Sequence, residues 1–259
     1  MKLANQTALV TGASRGIGYE IALAFAREGA DVAVTARSAQ DLAGLKARIE
    51  ELGRRCVAIV ADLGERGAVD QVWGQTQSAF GHLDILVNNA GLGSSSNPKP
   101  VVDFDDDFWE QSLYLNLTVP YLLCKRVLPS MTARKRGRII MIDSINGKVG
   151  SVHGAAYAAS KHGLLGLART LAMEVAKDGI TVNAICPGPV RTLMNNKRVA
   201  YDAQRLGISV EKLEPTMTLI GRRLEPHEIA PLAVYLASAE AAVMTGQAIN
   251  IDGGRLMTG

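Results

Sequence analysis

The 259-residue sequence predicts an α/β fold, a doubly wound parallel sheet of about seven strands with helices on both faces. Three observations carry that expectation. Short apolar runs of strand length alternate with stretches of helical spacing from one end of the chain to the other. Such alternation requires crossover connections, which give a parallel sheet covered on both sides. A glycine-rich turn joins the first strand to the first helix. No repeat, low-complexity tract or linker interrupts the pattern, so residues 1–259 read as a single domain.

Strands are expected at residues 7–11, 31–36, 56–61, 84–88, 138–142, 180–185 and 248–251. Helices are expected at 16–28, 39–52, 68–80, 106–131, 155–177 and 226–238. In the first helix Ile17, Ile21, Ala24 and Phe25 recur at helical spacing, and Gly29 stops it. The last helix opens with Pro226, whose missing N–H costs nothing in a first turn. Pro231 lies deeper and is expected to bend that helix or remove a hydrogen bond. A Ser/Asn/Pro-rich loop covers 93–100. The span 188–224 reads as one irregular excursion, the length of a lid or binding loop. It leaves from the carboxyl edge of the sheet, where ligands bind in open α/β folds.

Composition narrows the function classes. Hydrophobic residues make up 47% and charged residues 20% of the chain, an ordinary globular balance. A net charge of +3 is too small for a nucleic-acid-binding surface. The densest basic run, Arg134 to Arg138, reads as a solvated turn between a helix and a strand. Cys56, Cys124 and Cys186 are odd in number and widely spaced, without a CxxC. They point to a reducing compartment, the cytoplasm, and away from a disulfide framework or a metal site. The first residues carry no apolar signal segment, and no apolar run reaches the roughly 18 residues that span a bilayer.

The turn Thr11-Gly12-Ala13-Ser14-Arg15-Gly16-Ile17-Gly18 has the chemistry of a phosphate cradle. Glycine lets the backbone approach a pyrophosphate, and the helix N-terminus offers free N–H groups and partial positive charge. The same residues match G-x-S-x-G, a hydrolase nucleophile elbow centred on Ser14. An elbow normally follows several strands, and here one strand precedes it. It would also need a late histidine, for which His227 is the candidate. A dinucleotide-binding βαβ unit selective for NAD(H) carries an acidic residue at the end of its second strand. Here that strand ends Thr35-Ala36-Arg37, so Arg37 and Arg15 are placed to grip a 2′-phosphate, and NADP(H) is preferred over NAD(H).

Tyr157 and Lys161 are four apart near a helix start and share one face. A tyrosine of ordinary pKa, about 10, is a poor base near neutrality, and a neighbouring ammonium is expected to lower that value. Ser144 lies just past the fifth strand, where its hydroxyl can hold a substrate oxygen. Asn116 sits midway along a long helix, a mildly unfavourable place for asparagine that a local role would explain.

Together these pieces resemble the short-chain dehydrogenase/reductase family. They are Thr11-Gly12-xxx-Gly16-x-Gly18, Asp62-Leu63, Asn88-Asn89-Ala90-Gly91, Asn116, Ser144, Tyr157-xxx-Lys161 and Pro187-Gly188, in family order along nearly the whole chain. The resemblance implies a Rossmann-type fold and hydride transfer between a nicotinamide and a carbonyl or secondary alcohol. It implies that Tyr157 protonates the carbonyl oxygen, and that Lys161 bonds the nicotinamide ribose and lowers the Tyr157 pKa. Ser144 would polarise the carbonyl and Asn116 would hold a relay water. Gly12, Ser14, Arg15, Ile17 and Gly18 would meet the cofactor phosphates, and Arg37 the 2′-phosphate. Asp62 and Leu63 would border adenine, and Asn89, Ala90 and Gly91 the adjacent ribose. Pro187, Gly188, Val190 and Thr192 would meet the nicotinamide end, beside Tyr157 and Lys161. No metal is implied, and a homodimer or homotetramer assembled through the two long helices is expected.

Within the family the chain is similar to 3-oxoacyl reductases and bacterial polyketide ketoreductases, through the stretch from Gly147 to Gly163. Two alternatives stay open: an NAD-dependent alcohol dehydrogenase of the same family, and a dinucleotide-binding sensor without turnover. Lys135 and Arg136 would suit a carrier-protein docking surface, and Asp178 would not. In 188–224, Leu193, Met194, Met217, Leu219 and Ile220 favour an apolar substrate body. Arg191, Lys197, Arg198 and Arg205 would tolerate an anionic handle.

Overall fold

The computed structural model describes residues 1–257. Its strands are β1 (Thr7–Thr11), β2 (Asp31–Ala36), β3 (Cys56–Val60), β4 (Ile85–Asn88), β5 (Gly137–Ile142), β6 (Ile180–Pro187) and β7 (Ala248–Ile251). They form one sheet in the order β3-β2-β1-β4-β5-β6-β7, with every pairing parallel. The order reverses beside β1, which pairs with β2 on one edge and β4 on the other. Chains leaving β1 and β4 diverge to opposite faces there and open a crevice at their carboxyl ends.

The helices are α1 (Gly16–Arg27), α2 (Ala39–Glu51), α3 (Ala68–Phe80), α4 (Asp106–Leu113), α5 (Val119–Ala133), α6 (Ala155–Val175), α7 (Leu193–Leu206), α8 (Val210–Leu213) and α9 (Ala230–Ala237). The two-residue period of a strand divides its side chains between two cores. Ala8, Val10, Ile85, Val87, Ile140 and Ile142 face one core, closed by Ile21 and Phe25 of α1, Leu45 of α2 and Leu236 of α9. Leu9, Leu86, Ile139 and Met141 face the other, closed by Val72 of α3, Leu123 and Val127 of α5 and Leu164 of α6.

Three elements differ from the sequence expectation. The helix expected at 106–131 is α4 and α5 joined by a π-helical turn, Tyr114–Thr118. A π turn adds one residue per turn and rotates the intervening side chain inward, and Asn116 is that side chain. The helix expected at 226–238 is a 3₁₀ turn, Pro226–Glu228, followed by α9. Glu225 and Glu228 cap each other's backbone across that turn. Pro231 therefore falls in the first turn of α9, where it breaks no hydrogen bond and bends nothing. The span 188–224 is not irregular: it carries α7, begun by the Thr192 side chain accepting from the Asn195 N–H, and the short α8. No helix of the described residues is long and apolar enough to cross a membrane.

Candidate active site

The turn after β1 is built for a close-approaching anion. Gly12 and Gly16 have φ of 63° and 61°, values that L side chains rarely adopt. A Cβ on Gly12 would stand 2.8 Å from the Ala90 backbone, and one on Gly18 would stand 2.4 Å from Asn89 Nδ2. The N-cap residue of α1, Arg15, makes no side-chain cap, and the first turn holds no acidic residue, so the helix N-terminus is open to a ligand anion. Asn89 Nδ2 donates to the carbonyls of Thr11 (2.8 Å) and Gly12 (3.0 Å). Thr11 Oγ1 in turn accepts from the Asn89 and Ala90 N–H groups at 2.9 and 3.0 Å. These bonds stitch the turns after β1 and β4 into one crevice wall. Thr11 appeared in the motif but was not singled out as a site residue, and a strand-end threonine before a glycine turn was the available signal.

Arg15 and Arg37 are exposed on the same rim, and Ser14 and Ile17 are half-buried within the turn. Arg37 Nη1 lies 3.7 Å from Asp62 Oδ2, a loose surface contact. Asp62 Oδ1 accepts from the Gly64 N–H at 2.9 Å. The Leu63 side chain is buried in the core that α3 closes.

The catalytic candidates converge at the ends of β4, β5 and β6. Asn116 is 1% exposed. Its Oδ1 accepts from the Leu92 N–H at 2.8 Å, and its Nδ2 donates to the Leu92 carbonyl and to Ser160 Oγ, both at 3.0 Å. Both amide hydrogens are thus committed to protein, and Asn116 clamps the loop after β4 onto α6. A Cβ on Gly91 would stand 2.9 Å from Asn116 Oδ1, so this clamp requires glycine there. Ser144 is buried, and its Oγ accepts from the Asn146 N–H at 3.1 Å, leaving its own O–H free to donate. Lys161 is 5% exposed, and its Nζ donates to the Ile142 carbonyl at 2.8 Å and stands 5.8 Å from the centroid of the Tyr157 ring.

Burial decides the protonation of this cluster. It pushes the Tyr157 phenol up to about 12, opposed by the hydrogen bond of Ser144 and reinforced by the charge of Asp143. The expected lowering by Lys161 is therefore not the dominant effect in the protein itself. Burial also lowers the Lys161 pKa, and Asp143 raises it. Asp143, missed in the sequence, follows β5 directly and is 4% exposed, with burial pushing its carboxyl up to about 6. A carboxylate closing the apolar run Ile139-Ile140-Met141-Ile142 was the signal that could have found it.

The opposite rim comes from β6 and the span after it. Pro187 is buried at the end of β6, and a Cβ on Gly188 would stand 2.7 Å from Asp252 Cβ. Val190 is buried in the core and pairs with Leu224. Thr192 Cγ2 lies 3.2 Å from where a Gly16 Cβ would be, so this threonine stands over the glycine turn. Ser95 Oγ donates to the Met194 carbonyl at 2.9 Å, which latches the loop after β4 to the start of α7. Met194 occupies the space beside Gly93, where a Cβ would meet its Cγ at 2.3 Å. The segment after β7 joins the same rim: Gly188 N–H donates to Ile251 O (2.9 Å), Leu219 N–H to Gly253 O (2.9 Å) and Arg255 Nη1 to Met217 O (2.7 Å).

Residues 6–203 match the family model of the short chain dehydrogenases. The chain belongs to that family. This short chain dehydrogenase is 38% identical to the D-beta-hydroxybutyrate dehydrogenase of Cupriavidus necator, covering 97% of this chain and 98% of the relative. It is 37% identical to the 3-oxoacyl-[acyl-carrier-protein] reductase FabG of Escherichia coli K12, covering 99% and 100%. Among solved structures it is similar to a single-site variant of the actinorhodin polyketide ketoreductase with NADPH, at a TM-score of 0.91 and 36% identity over 96% of this chain and 97% of that one. The short chain dehydrogenase is thus an oxidoreductase with the fold of a nicotinamide-dependent enzyme, and the hydrolase reading of Ser14 falls.

Charges at the two surfaces singled out in the sequence are largely engaged within the protein. Lys135 pairs with Asp178, and Arg134 Nη1 with Asp84 Oδ1 at 2.8 Å. Arg191 pairs with Glu214, and Arg198 and Arg205 both meet Asp202, at 2.8 and 3.6 Å. Leu193, Met194, Leu219 and Ile220 remain exposed, while Met217 is buried.

Proposed function

We propose that this short chain dehydrogenase uses NADP(H) to reduce a ketone or 3-oxoacyl group with an apolar body. One observation carries the reading: Ser144, Tyr157 and Lys161 meet at the carboxyl ends of the central strands, beside a glycine cradle with no room for a Cβ. The nicotinamide, when bound, supplies the hydride. Gly12, Gly16 and the open end of α1 hold its pyrophosphate. Arg37 and Arg15 take the 2′-phosphate, since the end of β2 offers no carboxylate to a ribose 2′-OH.

Ser144 turns its hydroxyl hydrogen from the Tyr157 oxygen to the substrate carbonyl oxygen and fixes it beside Tyr157. Tyr157 gives its proton to that oxygen as negative charge grows there. A phenol that keeps its proton through the neutral range suits a donor in carbonyl reduction. Lys161, held by the Ile142 carbonyl, bonds the nicotinamide ribose. Asn116 holds the loop after β4 in place and keeps one lone pair for a relay water. The latch between Ser95 and Met194 ties the loop after β4 to the start of α7, and the segment 188–224 supplies the apolar contact with substrate.

The internal pairing of Arg191, Arg198 and Arg205 favours an apolar body over an anionic handle, and the Lys135–Asp178 pair argues against carrier-protein docking on that turn. Three free, buried cysteines among the described residues accord with a reducing compartment, the cytoplasm. Assembly into a homodimer or homotetramer through α5 and α6 would cover Tyr121 and Met173, which are exposed on those helices.

The test is NADPH consumption across a carbonyl panel: a β-ketoacyl thioester, a bicyclic ketone, an aromatic diketone, a keto-sugar and simple cyclic ketones. Turnover is expected with an apolar ketone or the thioester, and Tyr157→Phe should lower it at least about 100-fold. Tight NADPH binding with no turnover on any carbonyl would replace this reading with a sensor.

A further inference from the structure

Beside Ser144, the buried carboxylate of Asp143 has no task in the mechanism. Asp143 sits between Ser144 and the end of β5, its backbone N–H bonded to the Ile185 carbonyl at 2.8 Å. Its Oδ1 accepts from the Ser144 N–H at 2.7 Å, and its buried Oδ2 has no hydrogen-bond partner. A buried carboxylate oxygen without a partner is costly and calls for a reason. The pocket is shaped around it. A Cβ on Gly147 would lie 2.1 Å from Asp143 Oδ1 and 3.1 Å from the Lys161 carbonyl, so glycine is what lets the carboxylate sit against α6.

The groups that face it are few. From α6 come Tyr157, Lys161 and His162, from the turn after β5 Lys148, and from β6 Cys186. Lys148 Nζ is engaged by the Ala248 carbonyl at 2.7 Å, and His162 Nδ1 by the Ala158 carbonyl at 2.9 Å. Burial pushes the Cys186 thiol up to about 12 and keeps it neutral. Of these groups, the Lys161 ammonium and the Tyr157 phenol are the two on which the proton transfer depends, and the charge of Asp143 acts on both.

We propose that Asp143 is a positioning residue for proton transfer: its carboxylate balances the buried Lys161 ammonium and holds Tyr157 in the form that carries its proton. The idea rests on the roles given to Tyr157 and Lys161 above. A negative charge beside Tyr157 disfavours the phenolate, so the tyrosine remains a donor to higher pH. Carbonyl reduction needs the phenol and alcohol oxidation needs the phenolate. One group thus sets both the alkaline limit of reduction and the acid limit of oxidation.

The experiment is steady-state kinetics of Asp143→Asn in both directions against pH, with the best ketone of the panel and its alcohol. Both limits are expected to move together to lower pH, by half a unit or more, because losing the carboxylate eases formation of the phenolate. Asp143→Ser, smaller and also uncharged, should give the same shift, which separates charge from shape and serves if the first variant folds poorly. A lower rate with unmoved limits would reduce Asp143 to a structural residue and overturn the proposal. Tyr157→Phe runs alongside: if it retains turnover, the reading of the site itself fails, whereas an inactive Tyr157→Phe with unmoved limits in Asp143→Asn sinks this inference alone.

Discussion

Arg37 projects from the end of β2 largely into solvent, with only the loose contact to Asp62 to hold it. A guanidinium so placed gains little from the fold and is free to pair with a phosphate. A charge-assisted bond of this kind contributes about 1.5–3 kcal/mol. Arg37→Asp should therefore weaken NADPH relative to NADH by about 10- to 100-fold, read from the KM ratio, and an unchanged ratio would remove Arg37 from cofactor choice. Asp143 supports a second prediction at this scale, on stability. Its carboxyl pKa is raised in the fold, to about 6, so the native state binds that proton more tightly than the unfolded chain does. The stability it gives is complete below about pH 4 and falls away as pH rises through about 6. A shift of this size corresponds to on the order of 3 kcal/mol. Asp143→Asn should gain on the natural protein between pH 4 and pH 8, by several degrees in calorimetric Tm. A pH-independent difference would show that burial does not hold the carboxyl's proton.

The π turn Tyr114–Thr118 shows how one extra residue in a helix serves a site. In an unbroken helix Asn116 would be one more side chain on the α4–α5 cylinder. With the turn it reaches the backbone of Leu92 and the hydroxyl of Ser160 at once. Asn116→Ala leaves the Leu92 N–H and carbonyl without these partners, at about 1–3 kcal/mol if they stay dry. A lower Tm together with lost turnover is the expected outcome, and a variant of natural stability and rate would show that the clamp is dispensable. The latch between Ser95 and Met194 is weaker. Ser95→Ala removes a single neutral hydrogen bond, about 0.5–1.5 kcal/mol, so the substrate KM should rise about 2- to 10-fold. If KM does not move, Met194 is held by packing against Gly93 alone.

Across the whole molecule, alternation in the sequence was enough for the sheet, because a strand buried on both faces and a helix with one apolar face leave different periods. All seven expected strands are present, with ends within two residues of expectation. Tyr157 with Lys161 and the glycine turn are local motifs whose spacing alone fits many chains, and they became legible as site candidates through the whole set of motifs in family order. What stayed hidden depends on contacts between distant segments. The π turn is fixed by Leu92 and Ser160, the first turn of α9 by the Glu225–Glu228 cap, and α7 by a threonine cap within a mostly polar segment. Asp143 was legible only as a carboxylate closing an apolar strand, because the groups it faces on α6 are distant in sequence. The segment from Ile251 to Arg255 touches both Gly188 and the stretch Met217–Leu219, so it forms part of the mouth of the crevice. Anyone attaching a purification handle or a surface linker beside it would be pulling on the substrate entrance. The residues ahead of β1, packed behind α1 with Leu3 N–H bonded to Glu28 O at 2.9 Å, are the safer anchor for immobilising this enzyme.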